Sequence, residues 1–297
     1  MPSPFHLAGD VLLHHLLTGR QRPLLASYKL TYRCNLHCQQ CPFVDRPGPD
    51  ASFSQVTTLL DQLSARSDRI VIFEGGEPLL WRDGARSFAD VAAYARTRFA
   101  VTGVTTNGTL PLDVPTDILW VSLDGFADTH NRLRGAPIFE RVIENMRRST
   151  HPRLYAHLTA NAENYLELPD LVRFLSPLVK GITIQFYYPY GADDRLFLAW
   201  PERRALLAAL LDLQRQQGLP ILNSPAALRA LMDNHWHCQP WRIDCADPDG
   251  HFWQGCYVKG RGQVDCSKCG FSPYTEMSLA FQGHPQAILA GMHIFGV

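Results

Sequence analysis

The chain has 297 residues, and its 28 lysine and arginine side chains are balanced by 28 aspartate and glutamate side chains, so its formal net charge is zero. A neutral chain is not built to neutralise the phosphates of a nucleic acid, and we expect no nucleic-acid partner. No stretch approaches the roughly 20 consecutive apolar residues that span a bilayer, so we expect no membrane span and a cytoplasmic protein.

The eight cysteines fall into two groups, within residues 34–41 and 238–269, and none lies between them. A disulfide framework would distribute cysteines through a small secreted chain. This clustering therefore indicates metal binding.

Residues 1–25 are predicted to form a helical extension on the outside of the core. Their apolar run is interrupted by His14 and His15, as in a short amphipathic helix. The run has no basic leader and no small-residue cleavage site, which argues against a signal peptide.

From about residue 26 to residue 217, short β-branched runs alternate with longer amphipathic segments. The predicted strands are Ala26–Arg33, Arg69–Glu74, Val101–Thr106, Ile118–Leu123, Arg153–Ala160 and Gly181–Tyr187. The predicted helices are Phe53–Arg66, Gly84–Arg98, Pro137–Ser149, Leu168–Leu178 and Pro201–Gln217. Strands alternating with helices of this length form parallel β/α units. We therefore expect an α/β fold with a partial (β/α)6 TIM-like barrel over residues 26–217.

Polar motifs recur at the predicted strand ends. Cys34 directly follows the first strand, Glu74–Pro78 ends the second, Thr105–Gly108 ends the third and Ser122–Gly125 ends the fourth. Active sites of such barrels lie at the C-terminal ends of the strands, so these motifs should converge on one site.

After Gly218 the alternation stops, and residues 218–297 are rich in Cys, Gly, Trp and His with little periodicity. A segment with so little apolar pattern cannot easily bury a core of its own. We expect a small, irregular C-terminal region that a bound metal organises.

Cys34, Cys38 and Cys41 place three thiolates within eight residues. Three thiolates leave one iron of a [4Fe–4S] cluster without a protein ligand. That iron can bind the amino and carboxylate groups of S-adenosylmethionine (SAM), and one electron passed through it breaks the S–C5′ bond. The alternative is a zinc site, with His37 as the fourth ligand.

The spacing of this loop and its place after the first strand resemble the radical SAM superfamily, over about residues 24–217. Members usually carry an aromatic residue just before the third cysteine; here that position is Gln40, and Phe43 lies two residues past the cysteine. The resemblance implies a 5′-deoxyadenosyl radical made by reductive cleavage of SAM.

The resemblance also implies cofactor contacts at other strand ends. Gly75-Gly76-Glu77-Pro78 resembles the superfamily's motif for the methionine amino group. Thr106, Ser122 and Asn161 match positions that contact the cofactor's carboxylate or ribose in relatives. As plain sequence, all of these are also compatible with polar turns or helix caps.

Four of the five C-terminal cysteines, Cys238, Cys256, Cys266 and Cys269, are assigned to an auxiliary [4Fe–4S] cluster. A four-cysteine zinc knuckle is the alternative, because thiolates suit both metals. The region resembles the hopanoid adenosyl-adding enzyme family and the auxiliary-cluster (SPASM/twitch-like) tails of peptide-modifying members.

Cys245 is the fifth C-terminal cysteine, and a four-cysteine cluster does not need it. We hypothesise that its thiol supplies a hydrogen atom or a proton to a substrate intermediate. The alternatives are a cluster ligand and a buried small hydrophobe.

We therefore expect a radical SAM enzyme whose 5′-deoxyadenosyl radical abstracts hydrogen from, or adds to, a small-molecule or lipid-like substrate. Its electron would come from a donor such as flavodoxin or ferredoxin. The rival within the same chemistry is modification of a ribosomal peptide, which we disfavour because only about 25 residues precede the first strand. The rivals from another class are a non-catalytic iron–sulfur electron carrier and a zinc-organised binding module.

Overall fold

The computed structural model describes residues 21–296, apart from residues 45, 47, 49, 191–193 and 260. The helical extension predicted for residues 1–25 therefore lies almost entirely outside the described residues. Within the described part of the chain, every helix is too short or too polar to cross a membrane.

One sheet of eight strands forms the centre of the molecule. Six of its strands run parallel and lie side by side in chain order: β1 (Leu25–Thr31), β2 (Ile70–Gly75), β5 (Val101–Thr106), β6 (Ile118–Leu123), β7 (Leu154–Ala160) and β8 (Gly181–Phe186). Each predicted strand lies within two residues of an observed one. The expected α/β fold with six parallel β/α units is confirmed.

Helices follow the strands, and most lie where the sequence predicts them. They are α1 (Phe53–Ala65), α2 (Phe88–Ala95), α3 (Ala127–Arg134), α4 (Phe139–Arg148), α5 (Leu168–Leu175), α6 (Trp200–Gln216) and α7 (Pro225–Ala230).

Two helices differ from the prediction. Helix α2 begins at Phe88 rather than Gly84, because a short hairpin of β3 (Arg82–Asp83) and β4 (Arg86–Ser87) occupies the preceding residues. Helix α3 was missed, because its sequence buries only His130 and Leu133 and so shows almost no apolar periodicity.

Residues of each strand alternate between two cores, as the pleat of a strand requires. On β1, Ala26, Tyr28 and Leu30 belong to an outer core with the helices, whereas Leu25 belongs to an inner core inside the barrel. Helix α1 meets the outer core with Val56, Leu59, Leu60 and Leu63, spaced three or four apart on one face.

The C-terminal region is more regular than its composition predicts. It adds two strands to the same sheet: β9 (Ile243–Ala246) pairs parallel with β1, and β10 (Phe252–Gln254) pairs antiparallel with β9. Two helices follow, α8 (Ser272–Phe281) and α9 (Pro285–Phe295).

The expectation that residues 218–297 bury little apolar surface is wrong. Ile243, Tyr274 and Ile294 are buried in the inner core together with residues at the starts of the barrel strands. Helix α9 is also fixed to β7, because the Tyr155 hydroxyl donates to the Ile294 carbonyl oxygen at 3.3 Å. Protein contacts therefore order much of this region.

Candidate active site

A cavity of about 970 Å³ occupies the inside of the barrel. Near the C-terminal ends of the strands its wall is a layer of polar side chains, here called the polar ring: Lys29, Glu74, Thr105, Ser122, Thr159 and Gln185. Strand register places two pairs of them side by side, since Lys29 pairs with Glu74 and Thr159 pairs with Gln185. The volume lies at the upper end of the ~300–1,000 Å³ range of small-molecule sites.

The three-cysteine loop, residues 34–41, begins where β1 ends, and all three cysteines line the cavity. The end of α3 supports the loop from outside. The Gln39 N–H donates to the Leu133 carbonyl oxygen at 2.8 Å, and a Cβ on Gly135 would lie 2.8 Å from the His37 carbonyl oxygen. Gly135 also adopts a left-handed φ of 72°, which glycine tolerates at a helix end.

The three thiols of this loop are unpaired and lie close together. The pKa of Cys38 is raised to about 11, mainly by burial and also by the charges of Asp124, Cys41 and Cys34, while Arg134 opposes the shift. The Phe43 N–H donates to Cys41 Sγ at 3.4 Å.

The donor set fits a [4Fe–4S] cluster, because it offers three soft thiolates on one loop beside an open cavity. The sulfur atoms are not drawn together to metal-ligand distance. Among the described residues, no group of three or more His, Cys, Asp or Glu side chains is arranged to hold a metal ion.

A buried ion pair lies beneath the loop. Arg134 Nε is 2.6 Å from Asp124 Oδ2, and their side chains are only 12% and 1% exposed. Gln40 Nε2 donates to the same carboxylate at 2.5 Å, which connects the residue before Cys41 to the end of β6. Gln40 therefore serves as a polar support where relatives carry an aromatic ring.

Gly75 and Gly76 form the cavity edge at the end of β2. A Cβ on Gly75 would lie 2.4 Å from the Thr31 carbonyl oxygen, and one on Gly76 would lie 2.3 Å from the Arg33 carbonyl oxygen. Real Cβ atoms do not approach this closely, so only glycine permits the contact. The Gly-Gly pair thus lets the second strand end press against the chain that leads into Cys34.

Glu77 is fully buried and lies behind this edge rather than in the cavity lining. Its carboxylate accepts hydrogen bonds from Thr106 Oγ1 at 2.8 Å and from the Asn107 and Leu79 N–H groups at 2.7 and 3.1 Å. Burial raises its pKa, and these hydrogen bonds oppose the shift. Glu77 thereby ties the ends of β2 and β5 together, and Pro78 opens the short 3₁₀ turn that follows.

Of the three other predicted cofactor contacts, two line the cavity and the third, Asn161, does not. Thr106 and Ser122 line the cavity. Asn161 follows β7 and is fully buried, and its Oδ1 accepts from the Glu163 N–H at 2.9 Å. Its Nδ2 is buried with no hydrogen-bond partner among the described residues. An unused buried donor is costly, so it favours a polar ligand at this position.

Lys29 is a cavity residue that the sequence analysis missed. Its side chain is 1% exposed, and its Nζ lies 3.1 Å from Glu74 Oε1 and 4.3 Å above the rings of both Phe43 and Tyr257. Burial lowers its pKa, and the Glu74 charge opposes that shift. The sequence did point to Lys29, because a charged residue within the largely apolar strand Leu25–Thr31 is a candidate functional residue.

The four C-terminal cysteines assigned to an auxiliary cluster lie near one another. The pKa of Cys238 is raised to about 12, mainly by burial and also by the nearby charges of Cys269, Cys256 and Cys266. The turn at Cys266–Lys268 is anchored to the barrel, since Arg203 Nη2 and Asn234 Nδ2 donate to the Cys269 carbonyl oxygen at 3.0 and 2.8 Å.

Cys245 lies apart from these four, on β9. Its thiol is fully buried, 3.5 Å from the Tyr274 hydroxyl, and is not among the cavity-lining residues. Tyr274 does line the cavity. The structure therefore places the Cys245 thiol behind Tyr274, and a role as hydrogen donor stays a prediction.

The sequence profile of the radical SAM superfamily matches residues 28–175, which include the three-cysteine loop and the Gly75–Gly76 edge. The chain belongs to the radical SAM superfamily. The six parallel strands and the loop after β1 are therefore the scaffold of a radical SAM domain.

Similar proteins in this superfamily differ in what they make. AdoMet-dependent heme synthase of Methanosarcina barkeri is 32% identical over 189 residues, 58% of this chain and 53% of that protein. Fe-coproporphyrin III synthase of the same organism is 26% identical over 176 residues, 54% of this chain and 43% of that protein. The chain thus matches about half the length of these curated relatives.

The fold resembles Streptococcus suis SuiB bound to its precursor peptide SuiA, with a TM-score of 0.67 and 14% sequence identity. That comparison covers 100% of this chain and 72% of SuiB. At 14% sequence identity, this similarity shows a shared fold and nothing about the substrate.

Proposed function

We propose that this radical SAM chain is an enzyme that reductively cleaves SAM and directs the resulting radical at a substrate inside the barrel. One observation carries the proposal: the three thiols, the Gly75–Gly76 edge and the polar ring all line the same cavity. An electron carrier or a zinc-organised module would need no such shared chamber.

Cys34, Cys38 and Cys41 would hold a [4Fe–4S] cluster, which together with SAM supplies a 5′-deoxyadenosyl radical. The backbone at Gly75 and Gly76 would receive the methionine amino group, because both residues line the cavity beside the three-cysteine loop. Thr106 and Ser122 line the same space. Asn161 Nδ2, which is buried outside the cavity lining with no partner among the described residues, stays a predicted ribose contact.

Lys29 and Glu74 would bind and orient a polar group of the substrate in the polar ring. They face each other across β1 and β2 in the polar ring, and each is held by a partner that restricts its motion. A positioned ion pair in a water-poor site exerts a stronger field than the same charges in water.

The substrate is proposed to be a small or lipid-like molecule. The cavity is enclosed by strands and by α8 and α9, which suits a compact ligand better than an extended chain. Relatives named as heme synthases support a small molecule, and SuiB bound to SuiA supports a peptide as the second candidate.

The C-terminal cysteines are proposed to hold a second [4Fe–4S] cluster, with zinc as the alternative. Cleavage of SAM consumes one electron, which we propose comes from a cytoplasmic flavodoxin or ferredoxin.

The experiment that tests this function uses anaerobically reconstituted protein, SAM, a reductant and two fractions of cell extract, one organic-soluble and one peptidic. The expected result is that the organic-soluble fraction increases consumption of SAM and gains a product carrying label from substrate or from SAM. Stimulation by the peptide fraction alone would move the assignment to peptide modification. No product from either fraction would contradict an enzymatic role.

A further inference from the structure

The cavity does not end at the polar ring but continues to the N-terminal ends of the strands. Below the ring the wall carries Ile72 and Trp120 beside the polar side chains of Ser27, His157 and Thr183. At the strand starts the wall is apolar, with Leu25, Ile70 and Val101. Helices α8 and α9 complete the wall at this end with Met277, Ala287, Gly291 and Met292. We call this apolar part of the cavity the lower chamber.

Helix α9 leaves open space in the lower chamber. A Cβ built on Gly291 would meet no heavy atom of another described residue within 4 Å, although Gly291 lines the cavity. Ala287, one turn earlier, presents only a methyl group. Ile288 also lines the chamber and is 40% exposed, so apolar surface continues to its outer edge. Interiors normally pack without such gaps, and an apolar gap of this kind accepts an apolar ligand.

The polar side chains between the ring and the lower chamber have partners in the protein: Ser27 Oγ donates to Glu74, and His157 Nδ1 lies 2.9 Å from Thr183 Oγ1. In the lower chamber, Glu276 Oε1 accepts a hydrogen bond from the Ser224 N–H at 2.7 Å, and its Oε2 is buried with no hydrogen-bond partner among the described residues. Burial raises the pKa of Glu276 to about 7, so its charge is reduced near neutral pH. Arg69, at the strand starts, donates to the carbonyl oxygens of Ser64 and Asp68. Sugars, phosphates and peptide groups would find little to bind here.

We propose that the substrate is an amphipathic small molecule whose aliphatic tail occupies the lower chamber while its polar, reacting end lies at the polar ring. This inference rests on the proposed function and specifies its substrate class. Burial of each methylene should tighten binding by up to about fourfold until the chamber is filled.

The test measures binding of straight-chain alcohols of increasing length to the full-length protein, without SAM or reductant, by displacement of a dansyl-labelled fatty acid. Wild-type protein should bind longer alcohols progressively more tightly up to a limiting length. Gly291→Trp fills the open space and should weaken binding of the long alcohols at least tenfold. Gly291→Leu serves the same purpose with a smaller side chain if the tryptophan variant does not fold.

The matched control is Leu289→Trp, because Leu289 lies on the same helix, is 63% exposed and is not among the cavity-lining residues. It should bind the alcohols like wild type. Binding that does not depend on chain length, or that is equal in wild type and both Gly291 variants, would overturn the proposal. These outcomes do not depend on SAM cleavage, so a failure here is distinguishable from a failure of the proposed radical chemistry.

Discussion

Arg134 Nε lies 2.6 Å from Asp124 Oδ2 in a buried ion pair directly beneath the three-cysteine loop. The pair connects the end of helix α3 to the end of strand β6, and Gln40 of the loop donates to the same carboxylate. The loop is therefore fixed by the barrel before any metal binds.

Replacing Arg134 by Gln should lower the free energy of unfolding of the metal-free protein by about 3–5 kcal/mol, because it leaves the Asp124 carboxylate buried without its partner. The measurement is equilibrium unfolding in urea. Arg173→Gln is the control, since its pair with Asp170 is largely exposed and should contribute nothing measurable. Equal effects of the two changes would show that the buried pair does not support the loop.

Gly76→Ala should weaken SAM binding at least tenfold and cost about 1–3 kcal/mol of stability, because its Cβ would lie 2.3 Å from the Arg33 carbonyl oxygen. Gly291→Ala introduces the same methyl group without a clash inside helix α9, so it should leave SAM binding unchanged and raise stability by about 0.5–1 kcal/mol. Equilibrium dialysis with labelled SAM and urea unfolding measure the two effects. A Gly76→Ala protein that binds SAM like wild type would remove the Gly-Gly edge from the binding site.

The two cysteine groups should hold metal independently. Changing Cys34, Cys38 and Cys41 together to Ala should remove about four irons per chain, and changing Cys238, Cys256, Cys266 and Cys269 should remove about four others. Cys245→Ala is the matched control and should retain all iron, because its thiol is buried away from both groups. Loss of zinc rather than iron from the second variant would make that site a zinc knuckle.

Acid should destabilise the fold through His157. Burial lowers its pKa to about 4, whereas an unfolded histidine titrates near 6.5. Between these values the unfolded chain binds a proton that the folded chain does not, so stability falls as pH falls, by at most about 1.4 kcal/mol per pH unit.

His130 has a pKa lowered to about 4 as well, again mainly by burial. His157→Asn should therefore reduce the slope of unfolding free energy against pH between pH 4 and 6.5 by up to about 1.4 kcal/mol per pH unit, while His130 keeps its own contribution. Urea unfolding at a series of pH values measures this. An unchanged slope in His157→Asn would mean that His157 is protonated in the folded protein.

The strand positions were predictable because each strand is a short run rich in apolar and β-branched residues, and Val101–Thr106 and Ile118–Leu123 match to the residue. The three-cysteine loop was predictable from spacing alone. Helix α3 was not, because its role is to hold the loop through backbone carbonyls and Arg134 rather than through an apolar face.

The wall of the cavity was only partly predictable. Glu77 was expected at the surface of the site, yet its hydrogen bonds to Thr106 and Asn107 place it behind the wall. Those partners are about 30 residues away in the chain, so only the folded structure reveals them. The inner core of the C-terminal region was missed for a similar reason, because Tyr274 and Ile294 bury themselves against the starts of distant strands.

The central claim is that the three-cysteine loop supports reductive cleavage of SAM, and the most direct measurement is formation of 5′-deoxyadenosine or an adenosyl adduct under anaerobic conditions with a strong reductant. Wild type and Cys245→Ala, both reconstituted with iron and sulfide, should consume SAM and form one of these products, whereas Cys38→Ala should form neither. Iron-loaded wild-type protein that leaves SAM intact, or a Cys38→Ala protein that cleaves it as well as wild type, would contradict the account.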